Sequence, residues 1–354
     1  MRKILVTGGC GFVGSNLCLK LKQKYPTYEL IAFDNLKRRG SELNIGRLKS
    51  KGVTFMHGDI RNIEDFEGLS NVDTIIDASA EPSVLAGLNG TPNYLIHTNF
   101  NGTINCLNLA LKNKADFIFI STSRVYPINK LEQINYKEVA TRFEIEESQI
   151  ISGISSEGLT EEFPIEGYRS LYGATKLASE LVIAEYQKLL GLKTVINRCG
   201  VITGPFQMGK VDQGVVVLWV AKHFWKKPLA YLGFGGTGKQ VRDILHVDDL
   251  FRLIDYQIHN IEKVNGQTMN VGGGKDTSIS LLELTRLCQE VVGNKISIGA
   301  VSETRQADIP LYITNNLKVT EMTGWKPQKR AKDIVADIFS WLQDNEARLK
   351  PILM

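Results

Sequence analysis

The sequence predicts a doubly wound α/β fold, on three observations. Short apolar runs alternate with helical patterns through the first half of the chain. Those runs carry no polar alternation, as expected of strands buried on both faces. A glycine-rich turn joins the first run to the first helix. The first run is Lys3–Thr7, and Thr7-Gly8-Gly9-Cys10-Gly11-Phe12-Val13-Gly14 follows it directly, with Gly8, Gly11 and Gly14 at G-x-x-G-x-x-G spacing. In such a turn the first glycine lets the chain reverse and the second lets backbone N–H groups approach a pyrophosphate. The third lets the helix pack close to the sheet. The helix expected over Phe12–Lys24 then offers its unpaired N–H groups and positive dipole end to the phosphates. A second strand over Glu29–Phe33 leads to Asp34, 20 residues past Gly14, whose carboxylate can accept hydrogen bonds from an adenosine ribose. Further strands are expected over Val53–Met56, Thr74–Ala78, Phe117–Ser121 and Lys193–Arg198, and helices over Thr91–Lys112 and Leu171–Leu190. With right-handed crossovers this order gives a Rossmann-like parallel sheet that binds a dinucleotide.

Between Tyr126 and Tyr168 the periodicity fails. That stretch is polar, with Glu144, Glu146 and Glu147 close together and then Ser155-Ser156-Glu157-Gly158, so an insertion over about 127–168 with one short helix is expected. After Gly204 the elements shorten and mix. The expected organisation is a dinucleotide-binding domain over 1–204 and a smaller C-terminal α/β substrate-binding lobe over 205–354, with Asp243–Gln257 returning to the first domain. No repeat or low-complexity tract occurs.

Composition narrows the class. The 354 residues are 43% apolar and 23% charged, ordinary for a protein with a full core. A net charge of +4 is too small to argue for nucleic acid, although a mild basic excess helps an anionic substrate approach. The scattered cysteines Cys10, Cys18, Cys106, Cys199 and Cys288 form no C-x-x-C pair and read as reduced thiols of a cytoplasmic protein. The apolar run Ile4–Val6 breaks too early for a signal peptide, and the longest one, Val215–Ala221, is too short for a bilayer. His57, His97, His223, His246 and His259 are dispersed, so no metal site is expected. Trp219, Phe224 and Trp225 read as packing residues of an apolar helix.

Tyr172-Gly173-Ala174-Thr175-Lys176 carries the chemistry. Four residues apart on a helix, Tyr172 and Lys176 share a face. A free phenol, with a pKa near ~10, is a poor base at neutral pH. A neighbouring ammonium and an oxidised nicotinamide ring both favour the phenolate. A short hydroxyl from Ser121-Thr122-Ser123, at the end of the fifth strand, would complete the site. Cys199, at the end of the sixth, reads as an acid near the nicotinamide or, with more support, as a buried thiol.

These motifs resemble the extended short-chain dehydrogenase/reductases that act on nucleotide sugars. The general pattern lies in Thr7–Gly14, Asp34-Asn35-Leu36, Gly58-Asp59-Ile60, Asn99 and Tyr172 with Lys176. Longer blocks resemble the branch that epimerises C2 of CDP-activated sugars. They are Phe33–Leu36 with Arg39-Gly40, His57–Asn62, Ser121–Tyr126, Asp212-Gln213-Gly214 and Gly238–His246. The resemblance implies NAD held by Gly8, Gly11, Phe12 and Val13 at the pyrophosphate, by Asp34 and Asn35 at the adenosine ribose, and by Asp59 and Ile60 beside adenine. Ala78, Ser79, Ala80, Asn99, Tyr172 and Lys176 would complete the cofactor site. Family members often carry His-Leu-Ala-Ala or His-Leu-Ala-Gly where this chain has Asp77-Ala78-Ser79-Ala80, a departure at the cofactor. Tyr172, Lys176 and Thr122 would be catalytic, and Ser83, Thr122, Gln213, Arg242, Arg305 and Asp308 would contact the nucleotide sugar. Arg242 would grip its pyrophosphate, since a planar guanidinium suits bidentate recognition.

Asp34 would repel a 2′-phosphate, favouring NAD over NADP. Lys37-Arg38-Arg39 reads as a solvated loop, as a reply to such a phosphate, or as a contact to the cofactor's own pyrophosphate. The implied reaction is transient oxidation and re-reduction of a sugar carbon. A 4,6-dehydratase would carry an acidic pair after the threonine, where this chain has Ser123-Arg124. A UDP-hexose 4-epimerase needs the same three residues, and a non-catalytic NAD-sensing scaffold would be expected to lose Tyr172 or Lys176. The resemblance also implies a homodimer or homotetramer, and the small net charge and short apolar runs lead to no expected partner among nucleic acids or membranes.

Overall fold

The structure is a computed structural model that describes residues 2–88, 90–209, 213–305 and 308–354. The chain divides into two compact units. The first holds Met1–Val125, Leu171–Arg198 and Phe251–Met269; the second holds Tyr126–Ser170, Cys199–Leu250 and Asn270–Met354.

The first unit is built on strands β1 (Lys3–Thr7), β2 (Glu29–Asp34), β3 (Thr54–His57), β4 (Thr74–Asp77) and β5 (Asp116–Thr122). The seven-stranded sheet runs Gln267–Val271, Thr194–Cys199, β5, β4, β1, β2, β3. β3, β2, β1, β4 and β5 pair in parallel. The order reverses between β1 and β4, which opens a crevice at the carboxyl ends of the strands, where Thr7 lies in register with both Phe33 and Asp77. Leu5, Ile31, Phe33, Ile75, Phe117 and Phe119 are buried with Cys106, Leu107, Ala110 and Ile183 from the covering helices, which explains the strands' lack of polar alternation.

The helices Phe12–Lys24 and Leu171–Leu190 have the expected bounds. The helix expected over Thr91–Lys112 is instead Asn93–Ile96, a π turn over His97–Asn101, and Gly102–Asn113. The wide turn carries Asn99 inward, where its side-chain oxygen accepts from the Glu81 N–H at 2.7 Å and its amide donates to the Glu81 carbonyl at 3.1 Å.

In the second unit, strand Val241–His246 pairs in parallel with Val201–Thr203 and Leu311–Tyr312, and antiparallel with Ser278–Ser280. Leu229–Leu232 pairs in parallel with Ile298–Val301. The helix Leu281–Val292 opens on a capping box, with the Glu283 N–H donating to Ser280 Oγ at 3.0 Å and the Ser280 N–H to Glu283 Oε2 at 2.9 Å. Trp219 Nε1 donates to Thr285 at 2.9 Å and its ring stacks on Tyr231, so that residue packs as expected.

The division differs from the boundary drawn at 204. The 127–168 stretch belongs to the second unit, and it holds two small hairpins besides the short helix Ile128–Leu131. Distant partners explain the placement. Thr141 and Arg142 engage Glu283, Glu138 pairs with Lys239, and Tyr126 donates to Asn270. The returning segment is Phe251–Met269 rather than Asp243–Gln257, because Asp243–His246 is a strand of the second unit's own sheet. The second unit is also slightly the longer of the two, not the smaller. All five cysteines lie outside disulfides and are buried. Among the described residues, no helix is long and apolar enough to cross a membrane, and no cluster of His, Cys, Asp and Glu could hold a metal ion.

Candidate functional site

The glycine-rich turn sits at the carboxyl end of β1. Gly8 has φ +62°, and a Cβ there would meet the Ala78 carbonyl oxygen at 2.8 Å. The Gly11 N–H closes the turn on the Gly8 carbonyl at 2.9 Å. Gly14 packs on the turn rather than on the sheet, since its Cβ would stand 2.2 Å from the Gly8 oxygen. The close approach to the sheet belongs to Gly9, which the spacing did not single out. Its N–H donates to Phe33 at 3.0 Å and its Cβ would meet Ala32 Cα at 2.5 Å. The helix that begins at Gly11 has no side-chain cap and no acid in its first turn, with Phe12 and Val13 half-buried. An uncapped N-terminus behind a glycine turn that excludes side chains fits a bound pyrophosphate.

At the end of β2 the Asp34 carboxylate accepts from the Cys10 N–H at 3.0 Å and the Leu36 N–H at 2.7 Å. Burial pushes its pKa up, and these backbone donors oppose that shift. Gly11 adds a third backbone hydrogen bond, and a carboxylate's roughly four lone-pair sites leave acceptor capacity for a ribose hydroxyl. Asn35 donates to Asp59 Oδ2 at 2.9 Å. Arg61 forks onto the same carboxylate, Nε to Oδ1 at 2.9 Å and Nη2 to Oδ2 at 2.6 Å. The guanidinium of Arg61 lies 4.8 Å from the centre of the Tyr94 ring and the ammonium of Lys37 4.9 Å. Lys37 thus has an aromatic partner within the protein. Ile60 is buried against Gly102.

Burial alone would raise the Asp59 carboxyl, but the hydrogen bonds from Arg61 and Asn35 outweigh it and hold the pKa down to about 2. A depressed carboxyl contributes stability above its unfolded pKa of roughly 4, and loses it as pH falls. For Asp59 that loss ends near its folded pKa of about 2. Asp59→Asn should therefore flatten the acid limb of the stability profile between those two values in chemical denaturation across pH. An unchanged limb would refute the assignment.

Ala78, Ser79 and Ala80 are half-buried just past β4, and the Ser79 N–H donates to Asp77 at 3.3 Å. Asp77, where the resemblance leads one to expect a histidine, is fully buried and accepts from Thr7 at 2.7 Å and Thr103 at 2.9 Å. The departure is thus satisfied internally. Ser83 lies in the turn beyond, its Oγ accepting from the Leu85 N–H at 3.2 Å.

β5 delivers Thr122 at its last position, buried, with Oγ1 accepting from the Arg124 N–H at 3.2 Å. On the helix Leu171–Leu190, Tyr172 is half-buried and Lys176 is 1% exposed. The Lys176 ammonium lies 3.9 Å from the centre of the Phe119 ring. Thr175 links the elements, donating to the Tyr172 carbonyl at 2.8 Å and accepting from Asn99 at 3.2 Å. Asn99, expected at the cofactor, directs its side chain to Glu81 and Thr175. One turn beyond Lys176, Glu180 is buried in a forked ion pair with Arg198. Sequence reasoning missed that pair, although Glu180 continues the four-residue spacing from Tyr172.

In the second unit, Arg242 Nη2 donates to Asp308 Oδ1 at 3.0 Å and to the Ile309 carbonyl at 2.7 Å. The Asp308 N–H donates to the Arg305 carbonyl at 3.1 Å, which links the backbone of Arg305 to Asp308, while the Arg305 residue is exposed. Gln213 is half-buried just before the helix Val215–Phe224. Asp212, Gln306 and Ala307, which belong to the same motifs, lie outside the described residues. Cys199 is a buried thiol at the end of its strand.

A family model described as the NAD dependent epimerase/dehydratase family matches residues 4–272. The chain is 32% identical to the CDP-paratose 2-epimerase of Salmonella typhi, over 96% of this chain and 98% of that protein. It is 27% identical to a putative UDP-glucose 4-epimerase of Methanocaldococcus jannaschii, over 97% and 99%. Among solved structures, the dTDP-glucose 4,6-dehydratase DesIV of Streptomyces venezuelae, with NAD bound, is 27% identical with a TM-score of 0.78, over 99% of this chain and 100% of that one. The family and cofactor found by these comparisons are those expected from the motifs.

Proposed function

We propose that this chain, which belongs to the NAD-dependent epimerase/dehydratase family, epimerises C2 of a CDP-activated hexose and converts CDP-paratose to CDP-tyvelose. The observation that carries the reading is Lys176, its ammonium buried on Phe119 one helical turn from Tyr172. The 32% identity to a CDP-paratose 2-epimerase over nearly the full length supports the choice of substrate. Ser123-Arg124 after Thr122 weighs against a 4,6-dehydratase.

NAD, when bound, supplies the acceptor that takes a hydride from the sugar carbon and returns it to the opposite face. Lys176 favours the phenolate of Tyr172, which removes the hydroxyl proton and later gives it back. Thr122 holds the same sugar oxygen through Oγ1. Arg242 and Arg305 keep hold of the pyrophosphate and nucleotide while the sugar turns, and Asp308, Gln213 and Ser83 also contact the nucleotide sugar. The glycine turn, Asp34, Asn35 and Asp59 hold the dinucleotide through repeated turnovers. This reading places the enzyme in the cytoplasm as a dimer or tetramer, supplying sugars for polysaccharide assembly.

Incubation with CDP-, UDP-, GDP- and dTDP-hexoses, followed by NMR of the C2 and C4 stereochemistry, tests the reading. Inversion at C2 of CDP-paratose is the expected result. Inversion at C4 of a UDP-hexose with none at C2 would replace it with a 4-epimerase, and loss of water would make the enzyme a dehydratase.

A further inference from the structure

Tyr172, Lys176 and Glu180 follow one another at four-residue spacing and lie along one face of the helix Leu171–Leu190. A lysine and a glutamate so spaced are within reach of each other, and burial strengthens the attraction. Here the Glu180 carboxylate goes elsewhere. Arg198, on the strand Thr194–Cys199, donates to Oε2 through Nε at 3.0 Å and Nη2 at 2.8 Å, while Ser121 of β5 donates to Oε1 at 2.5 Å. The two charged side chains are 9% and 4% exposed. Lys176 lies over Phe119, two residues before Ser121 on the same strand.

We infer that Arg198 is a positioning residue that holds the Glu180 carboxylate away from Lys176, leaving the ammonium to act on Tyr172. This rests on the acid–base reading of Tyr172 given above. The other ionisable groups near Lys176 leave that role to Arg198. Asp77 on β4 accepts from Thr7 and Thr103. The Cys106 thiol, on the helix Gly102–Asn113, is kept protonated by burial and by Asp77 against the opposing pull of Lys176. Without Arg198 the buried carboxylate is uncompensated, and the nearest cation on its own helix face is Lys176. The ammonium then turns from the phenol to Glu180, and Tyr172 ionises at higher pH.

The test is a titration of tyrosinate absorbance in the NAD-loaded protein, taken as a difference against the same variant carrying Tyr172→Phe, with kcat on CDP-paratose measured across the same pH range. Arg198→Met should move the Tyr172 ionisation up by about one pH unit and lower kcat at neutral pH by about tenfold. Adding Glu180→Gln removes the competing charge and should return the ionisation to its original pH, whatever the melting temperature does. Should Arg198→Met not fold, Arg198→Gln keeps a donor to Glu180 without the charge and carries the same expectation. An ionisation that stays put in the single variant, or fails to return in the double one, would reduce the pair to a structural brace and overturn the inference. The acid–base reading falls separately, if Tyr172→Phe in the otherwise native chain still turns over.

Discussion

Tyr172→Phe is expected to leave a folded, NAD-retaining protein whose turnover falls by about a thousandfold or more. The substitution deletes one hydroxyl from a half-buried ring near the start of its helix and leaves the backbone bonds of that helix untouched. Three links that position this turn run through other groups. Thr175 bonds the Tyr172 carbonyl, Asn99 bonds Thr175, and Ser179 donates to the Asn99 carbonyl. What disappears is the only group proposed to take the sugar's hydroxyl proton. General acid–base catalysis is worth about a hundred- to ten-thousandfold, and water admitted in its place recovers little of that. NAD affinity and melting temperature should stay near their native values while kcat collapses. A variant that keeps a tenth of native turnover would end the proposed mechanism. One that unfolds would mean that the ring, not the hydroxyl, is what the helix needs.

Much of the dinucleotide-binding framework is written locally. β1 to β5 and the helix Leu171–Leu190 are legible because burial on both sheet faces forces continuous apolar runs, and Thr122 is found simply by following β5 to its end. The insertion resists for the opposite reason. Its hairpin strands are two or three residues long, Tyr136–Glu138 is exposed throughout, and its position is fixed by residues more than 100 places away, such as Glu283 and Asn270. No local period encodes such contacts. The π turn at Asn99 is silent too, because one extra residue in a turn leaves the apolar spacing almost unchanged. Arg61 and Glu180 stood in view, two residues after Asp59 and eight after Tyr172, yet charge alone does not distinguish a buried partner from a solvated side chain. Arg242 and Asp308 were each visible in a motif and pair with each other in the second unit, but no spacing rule connects them.

Gly14→Ala is the substitution expected to do the most damage to the fold for its size. The added Cβ would lie 2.2 Å from the Gly8 carbonyl oxygen and 2.8 Å from both the Gly8 carbonyl carbon and Gly9 Cα. All three are backbone atoms, so no rotamer change relieves the clash. Relief requires moving the first turn of the helix Phe12–Lys24 away from the glycine turn, and two restraints oppose it. The Gly11 N–H holds the Gly8 carbonyl at 2.9 Å, and Gly9 is itself pressed on Ala32 of β2 with its N–H on Phe33. Overpacking of this kind costs about 3 kcal/mol or more, which lowers the melting temperature by roughly 4 °C or more in a chain this large. Because the displaced turn is also the proposed pyrophosphate cradle, NAD retention should fall with it. Gly46→Ala gives the control. Gly46 also sits inside a helix, Leu43–Ser50, but nothing lies within 4 Å of its missing Cβ. There the helix-forming preference for alanine should leave stability unchanged or raise it by up to about 1 kcal/mol. Calorimetry on the two variants with and without NAD separates the effects. A Gly14→Ala protein that melts with the wild type and keeps its NAD would show that the turn yields where its backbone contacts say it cannot.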